Sequence, residues 1–244
     1  MNKLYLLLFC FFVSILSCKK QKTNLNDAPI LGIDISHYQG NINWKKIKKD
    51  GVSFCYAKAT QGTSFVDPKF KTNQKQAKKI GLKHGSYHFF MAGKDPRKQA
   101  DLFIQTVVSL NEGDMIPMLD LEQEGLEHHI SAIQFQKDVL LWLSIVEDKL
   151  GIKPIIYTNN PFGNTYLTDS KFASYKLWIA EYQVKTPKTP TTWAENGWTI
   201  WQRSERGKVY GIQGKNVDHD IVNKKYSLQD IMYTPDLHSQ LSNM

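Results

Sequence analysis

The chain has 244 residues, 41% of them hydrophobic and 22% charged, which suits one substantial core and excludes a disordered or low-complexity chain. Its 31 Lys and Arg against 23 Asp and Glu give a formal charge of +8, favouring acidic surroundings such as anionic wall polymers or lipid headgroups. Nucleic acid is disfavoured as a partner, because the lysines are scattered over helical stretches and do not form a block.

In chain order, the first element is a leader. Lys3 precedes an almost wholly apolar stretch over 4–16, and Ser17-Cys18 follows. The stretch is too short for a membrane-spanning helix, which needs roughly 20 residues, and it matches a secretory signal peptide over 1–17. Ile15-Leu16-Ser17-Cys18 resembles a bacterial lipobox, so Cys18 is the expected lipid anchor and 18–29 a polar tether to a membrane. Without 1–17 the balance is 30 basic to 23 acidic residues, or +7, and Cys18 and Cys55 are the cysteines left. Cys55 lies in the apolar run 52–57 and reads as a buried structural thiol. Neither a disulfide framework nor a cysteine zinc site fits that count, and no cofactor is expected.

Beyond the tether, short apolar, β-branched runs at 30–35, 52–57, 83–90, 115–121, 153–158, 176–180, 199–202 and 216–222 predict strands. Helix-like stretches lie between the early ones, at 44–50, 68–80, 96–108 and 130–150. In the last, Ile133, Val139, Leu140, Leu143, Val146 and Leu150 recur near a 3.6-residue period. Gly51, Gly81 and Gly151 stand where those helices should end. Alternating strands and helices predict a mainly parallel α/β sheet, and about eight strands favour a single-domain TIM-like β/α barrel. After residue 176 the spacing shortens, so the outer helix ring should be incomplete in the final third, with loops or hairpins between strands. The barrel is expected over 30–225, with a polar, loosely attached tail over 226–244.

Barrel enzymes place reactive groups where strands end. Those ends carry Asp34, Tyr87-His88, Asp120 with Glu122, Tyr157, Glu181-Tyr182, Trp201-Gln202 and Asp218. Carboxylates at a barrel mouth carry a desolvation cost and so need a compensating role. Asp120-Leu121-Glu122 is the sharpest feature. On a strand, residues i and i+2 share a face with Cα atoms about 6.6 Å apart. Two carboxyl groups so placed cannot ionise independently, which leaves one protonated as an acid and the other anionic. Glycosidic cleavage uses such a pair. Taken alone, however, an Asp-x-Glu triplet is common, and Cα spacing does not decide between retaining and inverting chemistry.

The surrounding segments sharpen the reading. Gly32-Ile-Asp-Ile-Ser-His-Tyr-Gln-Gly40, Ala57-Lys-Ala-Thr-Gln-Gly-Thr63, Gly85-Ser-Tyr-His-Phe89, Met118-Leu-Asp-Leu-Glu122, Leu177-Trp-Ile-Ala-Glu-Tyr182, Ile200-Trp-Gln202 and Val217-Asp218 occur in one order. Together they closely resemble the glycoside hydrolase family 25 lysozymes, the Chalaropsis type, over roughly 30–225. The resemblance implies a β/α barrel that hydrolyses the β-1,4 bond between N-acetylmuramic acid and N-acetylglucosamine in peptidoglycan. It makes Glu122 the general acid and Asp120 its helper, as base, nucleophile or guide for the substrate acetamido group. By the same resemblance Asp34 and Asp218 would complete the acidic ring, while Tyr87, Tyr157, Tyr182, Trp201 and Gln202 would wall the sugar site. Three departures are visible: Gln61 where the family often has Glu, Glu181 in a usually neutral position, and Asp220 in place of a commoner Asn.

Two rivals are weighed. A metal-dependent de-N-acetylase would use Asp34 with His84 and His88, but on one strand those histidines stand about 13 Å apart, too far for one zinc. His128-His129 reads better as a solvated loop pair than as ligands. A non-catalytic peptidoglycan-binding lipoprotein would keep the aromatic walls but has no use for the four acids. The expected partners are therefore glycan strands and, through Cys18, a membrane, with the protein a monomer.

Overall fold

A computed structural model describes residues 28–126, 130–213 and 216–235. Along the chain run β1 (Leu31–Ile35), α1 (Trp44–Lys49), β2 (Val52–Gln61), β3 (Phe65–Val66), α2 (Phe70–Lys79), β4 (Lys83–Phe89) and α3 (Pro96–Val107). They are followed by β5 (Met118–Asp120), α4 (Ala132–Leu150), β6 (Ile155–Asn159), α5 (Asn160–Tyr166), β7 (Leu177–Ala180), β8 (Ile200–Gly207) and β9 (Val217–Val222). The strand order β1-β9-β8-β7-β6-β5-β4-β2 closes through pairing of β1 with β2, giving an eight-stranded barrel, while β3 is a flap on β2. Pairing is parallel from β1 round to β8, and β9 closes the ring antiparallel to both neighbours. This is the expected α/β barrel. Its last two strands form the foreseen helix-free connection, with no α-helix among the described residues after α5.

Local chemistry sets the helix ends. Asp95 accepts hydrogen bonds from the Arg97 and Lys98 amides ahead of Pro96, and Ser131 caps the Gln134 amide. Gly151 ends α4 in the left-handed region at φ 71°. The buried stripe of that helix is Phe135, Val139, Trp142, Leu143, Val146 and Leu150. Ile133, expected in the stripe, is 68% exposed, because a helix starting at Ala132 turns it away from the Phe135–Val139 face.

The residues sort into two cores by strand alternation. Outward side chains such as Ile33, Ile35, Cys55, Ala57, Leu119, Ile156 and Ile179 pack beneath the helices, so Cys55 is indeed a buried free thiol. Inward side chains, among them Phe54, Tyr56, Met118, Ile155, Trp178, Ile200 and Val222, fill the barrel. Two glycines make room for them. A Cβ on Gly32 would lie 2.0 Å from the Phe54 ring, and one on Gly85 would lie 2.3 Å from Tyr56. The barrel is thus plugged below its mouth, and polar groups are confined to the upper end.

One boundary moves. The loose tail expected from residue 226 is tied down as far as Tyr233, whose amide donates to the Asp114 carbonyl at 2.7 Å. Ile231 is fully buried, the Ile116 amide donates to the Ile231 carbonyl at 3.0 Å, and Met232 bridges Met115. These residues close the bottom of the barrel with Met115 and Ile116, a hydrophobic role hidden by the polar residues between them.

Candidate active site

The mouth of the barrel holds a cleft of about 310 Å³ lined by Asp34, Asp120, Glu122, Asp218 and Glu205 together with Lys58, Tyr87, Tyr157, Tyr182 and Gln202. Each acid is placed by its strand. Asp34 ends β1 on its inner face, directly opposite Asp218 of β9. Asp120 ends β5, and the chain stays extended through Glu122 at φ −148° and ψ 173°, so both side chains enter the same cleft. That backbone is held on both sides, by the Phe90 amide donating to the Asp120 carbonyl at 3.1 Å and the Leu121 amide to the Tyr157 carbonyl at 3.0 Å.

A polar lattice links the far wall. The Tyr157 and Tyr182 hydroxyls donate to Gln202 Oε1 at 2.9 and 2.6 Å, and Gln202 Nε2 donates to Asp34 Oδ2 at 2.8 Å. Gln202 Oε1 is therefore saturated, and the two tyrosines orient its amide toward Asp34. Among the described residues, Lys58 is the one ammonium lining the cleft. It donates to Gln61 Oε1 at 2.6 Å and lies 4.6 Å from the centre of the Phe89 ring. Gln61, the departure from Glu, thus leaves Lys58 with a neutral partner.

Burial and crowding set the protonation. Glu122 is raised to about 7, chiefly by desolvation and then by Glu124, with Lys58 opposing. Asp120 is raised well above the carboxylate range by burial and then by Glu122, again with Lys58 opposing, and its Oδ1 has no hydrogen-bond partner. Asp34 is raised by burial and by Asp218, while the Gln202 hydrogen bond works the other way. Asp218 is pushed up to about 6 by burial, a hydrogen bond to Asp34 holding it back. Below them Asp220 is fully buried, with neither oxygen hydrogen-bonded within normal geometry, and burial drives its pKa up. Burial thus favours its neutral form.

The sequence reading is corrected at two positions. Trp201 does not wall the sugar site: alternation on β8 points Gln202 inward and Trp201 outward, where it packs in the outer core and donates to the Glu181 carbonyl at 2.7 Å. Glu181, one residue beyond the inward Ala180, turns away and accepts the Lys188 amide at 2.5 Å, so it returns no charge to the cleft. Lys58, Glu205 and Tyr38 were missed. Lys58 could have been found, being two residues from inward Tyr56; Glu205 lies beyond the expected end of its strand at 202, so nothing pointed to it. His84 and His88 sit on the outer face of β4, opposite Asp34, and burial lowers both to about 3. His88 is taken up by Thr60 and Gln99 at 2.7 and 3.1 Å. The de-N-acetylase set is therefore not assembled, and among the described residues no group of three His, Cys, Asp or Glu could hold a metal ion. His128-His129 and Cys18 lie outside the described residues.

A closed β/α barrel with a ring of carboxyl groups at the C-terminal mouth of its strands suits the chemistry of a glycoside hydrolase. Residues 33–212 match the model of Glycosyl hydrolases family 25, and the chain belongs to that family. It is 31% identical over 202 residues to Lysozyme M1 of Streptomyces globisporus, covering 80% of this chain and 68% of that protein. To YegX of Escherichia coli K12 it is 38% identical over 199 residues, covering 80% of this chain and 70% of that protein. The crystal structure of a bacterial lysozyme from Streptomyces coelicolor superposes with a TM-score of 0.75 at 30% identity, covering 81% of this chain and 93% of that one. The protein is accordingly a glycosidase of the lysozyme class, a hydrolase of peptidoglycan.

Proposed function

We propose that the protein is an N-acetylmuramidase that cleaves the β-1,4 bond from N-acetylmuramic acid to N-acetylglucosamine, with Glu122 as proton donor. The observation that carries this assignment is the pairing of Asp120 and Glu122 in one cleft, with Glu122 raised to about 7 and so still protonated near neutrality. Glu122 passes its proton to the leaving oxygen as the C1–O bond breaks. The carbonyl oxygen of the substrate's own acetamido group then bonds to C1, while Asp120 accepts the acetamido N–H and steers it. Water opens the resulting ring, giving a proton back to Glu122. Asp34 and Asp218 hold the acidic field around the reacting sugar, while Tyr87, Tyr157, Tyr182 and Gln202 shape the wall it lies against.

The test is reducing-end release from purified peptidoglycan by the wild type and by Glu122→Gln. Loss of a general acid lowers the rate by about 10²–10⁴-fold; equal activity in the two proteins would remove Glu122 from the chemistry.

The leader supports an exported lipoprotein, anchored through Cys18 on the periplasmic or outer side of a membrane and acting as a monomer. Among the described residues no helix is long and apolar enough to cross a membrane. Cys18→Ser should move the protein from the membrane to the soluble fraction.

A further inference from the structure

The catalytic cleft is not the roomiest depression in the molecule. A groove of about 660 Å³ runs between α1 and α2, and it opens where the cleft ends: Gln39 lines the cleft, and Gly40 and Asn41 line the groove. Its charge is unusual. Residues 44–81 hold ten lysines and two aspartates, so of 31 basic and 23 acidic residues in the chain, 21 of each lie elsewhere. The whole formal excess of +8 thus belongs to this one stretch. The lysines look scattered in sequence, but the fold brings Lys45 and Lys46 of α1 to the same groove as Lys69 and Lys79 of α2. Among the described residues none of these four has a carboxylate within ion-pair distance. Lys69 donates to Asn41 at 3.0 Å and Lys46 lies 4.7 Å from the centre of the Tyr210 ring, both neutral partners.

The groove also has a built floor. Asn73 is 3% exposed and lines it. Gln76 and Gln213 add further amides, with Trp44 as an apolar side. One edge is pinned by Gly211, whose carbonyl accepts the Asn43 amide at 2.8 Å. A Cβ there would meet the Asn43 carbonyl at 2.6 Å, at a φ of +137°. The groove is therefore preformed and needs little ordering to take a ligand.

We infer that this groove binds the carboxylate-bearing peptide that hangs from the glycan strand, making it a second substrate-binding site contiguous with the catalytic cleft. The inference rests on the muramidase reading above. Unneutralised ammonium groups supply attraction for carboxylates, and the side-chain amides of Asn73, Gln76 and Gln213 can pair with peptide N–H and C=O groups. A lipid headgroup surface would favour lysines projecting from a convex face; here they border a concave, amide-floored channel that suits a chain lying along it. A four-residue peptide, extended, spans about 13–14 Å, enough to leave the cleft and enter the neighbouring groove.

The test uses the full chain and the variant Lys45→Gln/Lys46→Gln/Lys69→Gln/Lys79→Gln, with three probes. The first is fluorescein-labelled, N-acylated Ala-γ-D-Glu-diaminopimelate. Wild type should bind it in a salt-sensitive manner, and the variant should bind about tenfold more weakly. The second is a pair of glycan strands, with and without peptides. The variant should show about a tenfold higher KM with unchanged kcat on peptide-bearing strands, and wild-type kinetics on peptide-free strands. The third is a set of anionic ligands: phosphatidylglycerol vesicles and poly(glycerol phosphate). Loss of binding to either of these with peptide binding unchanged would overturn the proposal in favour of that ligand, as would equal peptide binding by both proteins or none by either. Peptide binding is read without catalysis. If the wild type cleaved neither strand yet bound the peptide and the variant did not, the groove would stand and the muramidase reading would fall.

Discussion

Asp34 and Asp218 are register partners on antiparallel strands β1 and β9, and both line the cleft at the barrel seam. Two acids so placed cannot ionise independently, since the charge of Asp218 raises Asp34, so the pair titrates as a unit, with Asp218 raised to about 6. The seam is where the parallel ring is closed by a reversed strand, which is why two strand-end acids meet there face to face. Asp218 also contributes to raising Glu122. Asp218→Asn should therefore lower kcat/KM by about 10–100-fold and move the alkaline limb of its pH profile to lower pH. A profile whose limb stays in place would show that the seam acids do not tune Glu122.

Stability should carry the mark of the same field. Glu122 has a folded pKa of about 7 against an ordinary 4.5, so the folded protein holds this proton where the unfolded chain releases it. Its contribution thus favours the folded state least above pH 7 and is neutral below 4.5, stability falling as pH rises between them. Glu122→Gln removes that dependence. Calorimetry should find the variant about 2–4 °C or more higher in Tm at pH 8, with the difference vanishing at pH 4.

Lys58 is expected to work in the opposite direction to Asp218. Its ammonium opposes the rise of both Asp120 and Glu122, so Lys58→Met should move the alkaline limb upward. The same change leaves more of the acid pair protonated at neutral pH and lowers kcat by about tenfold or more. Opposite limb shifts in Lys58→Met and Asp218→Asn, read side by side, separate electrostatic tuning from general damage to the fold.

Gln202 is expected to be structural as well as functional. Its Oε1 accepts from Tyr157 and Tyr182, and its Nε2 donates to Asp34. Gln202→Leu strands a buried Tyr157 hydroxyl and a buried carboxyl group, each costing about 1–3 kcal/mol, so Tm should fall by several degrees. Tyr182→Phe removes a single donor and should be nearly silent in Tm; a loss as large as that of Gln202→Leu would contradict the lattice described.

Much of this was legible in the sequence because period-2 alternation and strand-end chemistry are local. The helix stretches at 44–50, 68–80, 96–108 and 130–150 correspond to α1 to α4 within a residue or two at each end. Asp34, Asp120, Glu122 and Asp218 are gathered in one cleft. What failed depended on facing or distance. Trp201 was assigned to the wall beside its neighbour Gln202, although adjacent residues on a strand look in opposite directions. α5 (Asn160–Tyr166) escaped notice because Pro161 and Gly163 read as loop, yet Asn159 caps it and Phe162 is buried. The groove between α1 and α2 could not be seen at all, since its lysines meet through packing across 30 residues of chain.

The most direct measurement of the central claim is mass analysis of the fragments released from purified peptidoglycan by the wild type and by Glu122→Gln. Muropeptides ending in reducing N-acetylmuramic acid, acetyl groups intact and absent from the variant's digest, are the predicted result. Reducing N-acetylglucosamine ends, deacetylated sugars, or the same fragments from both proteins would contradict it.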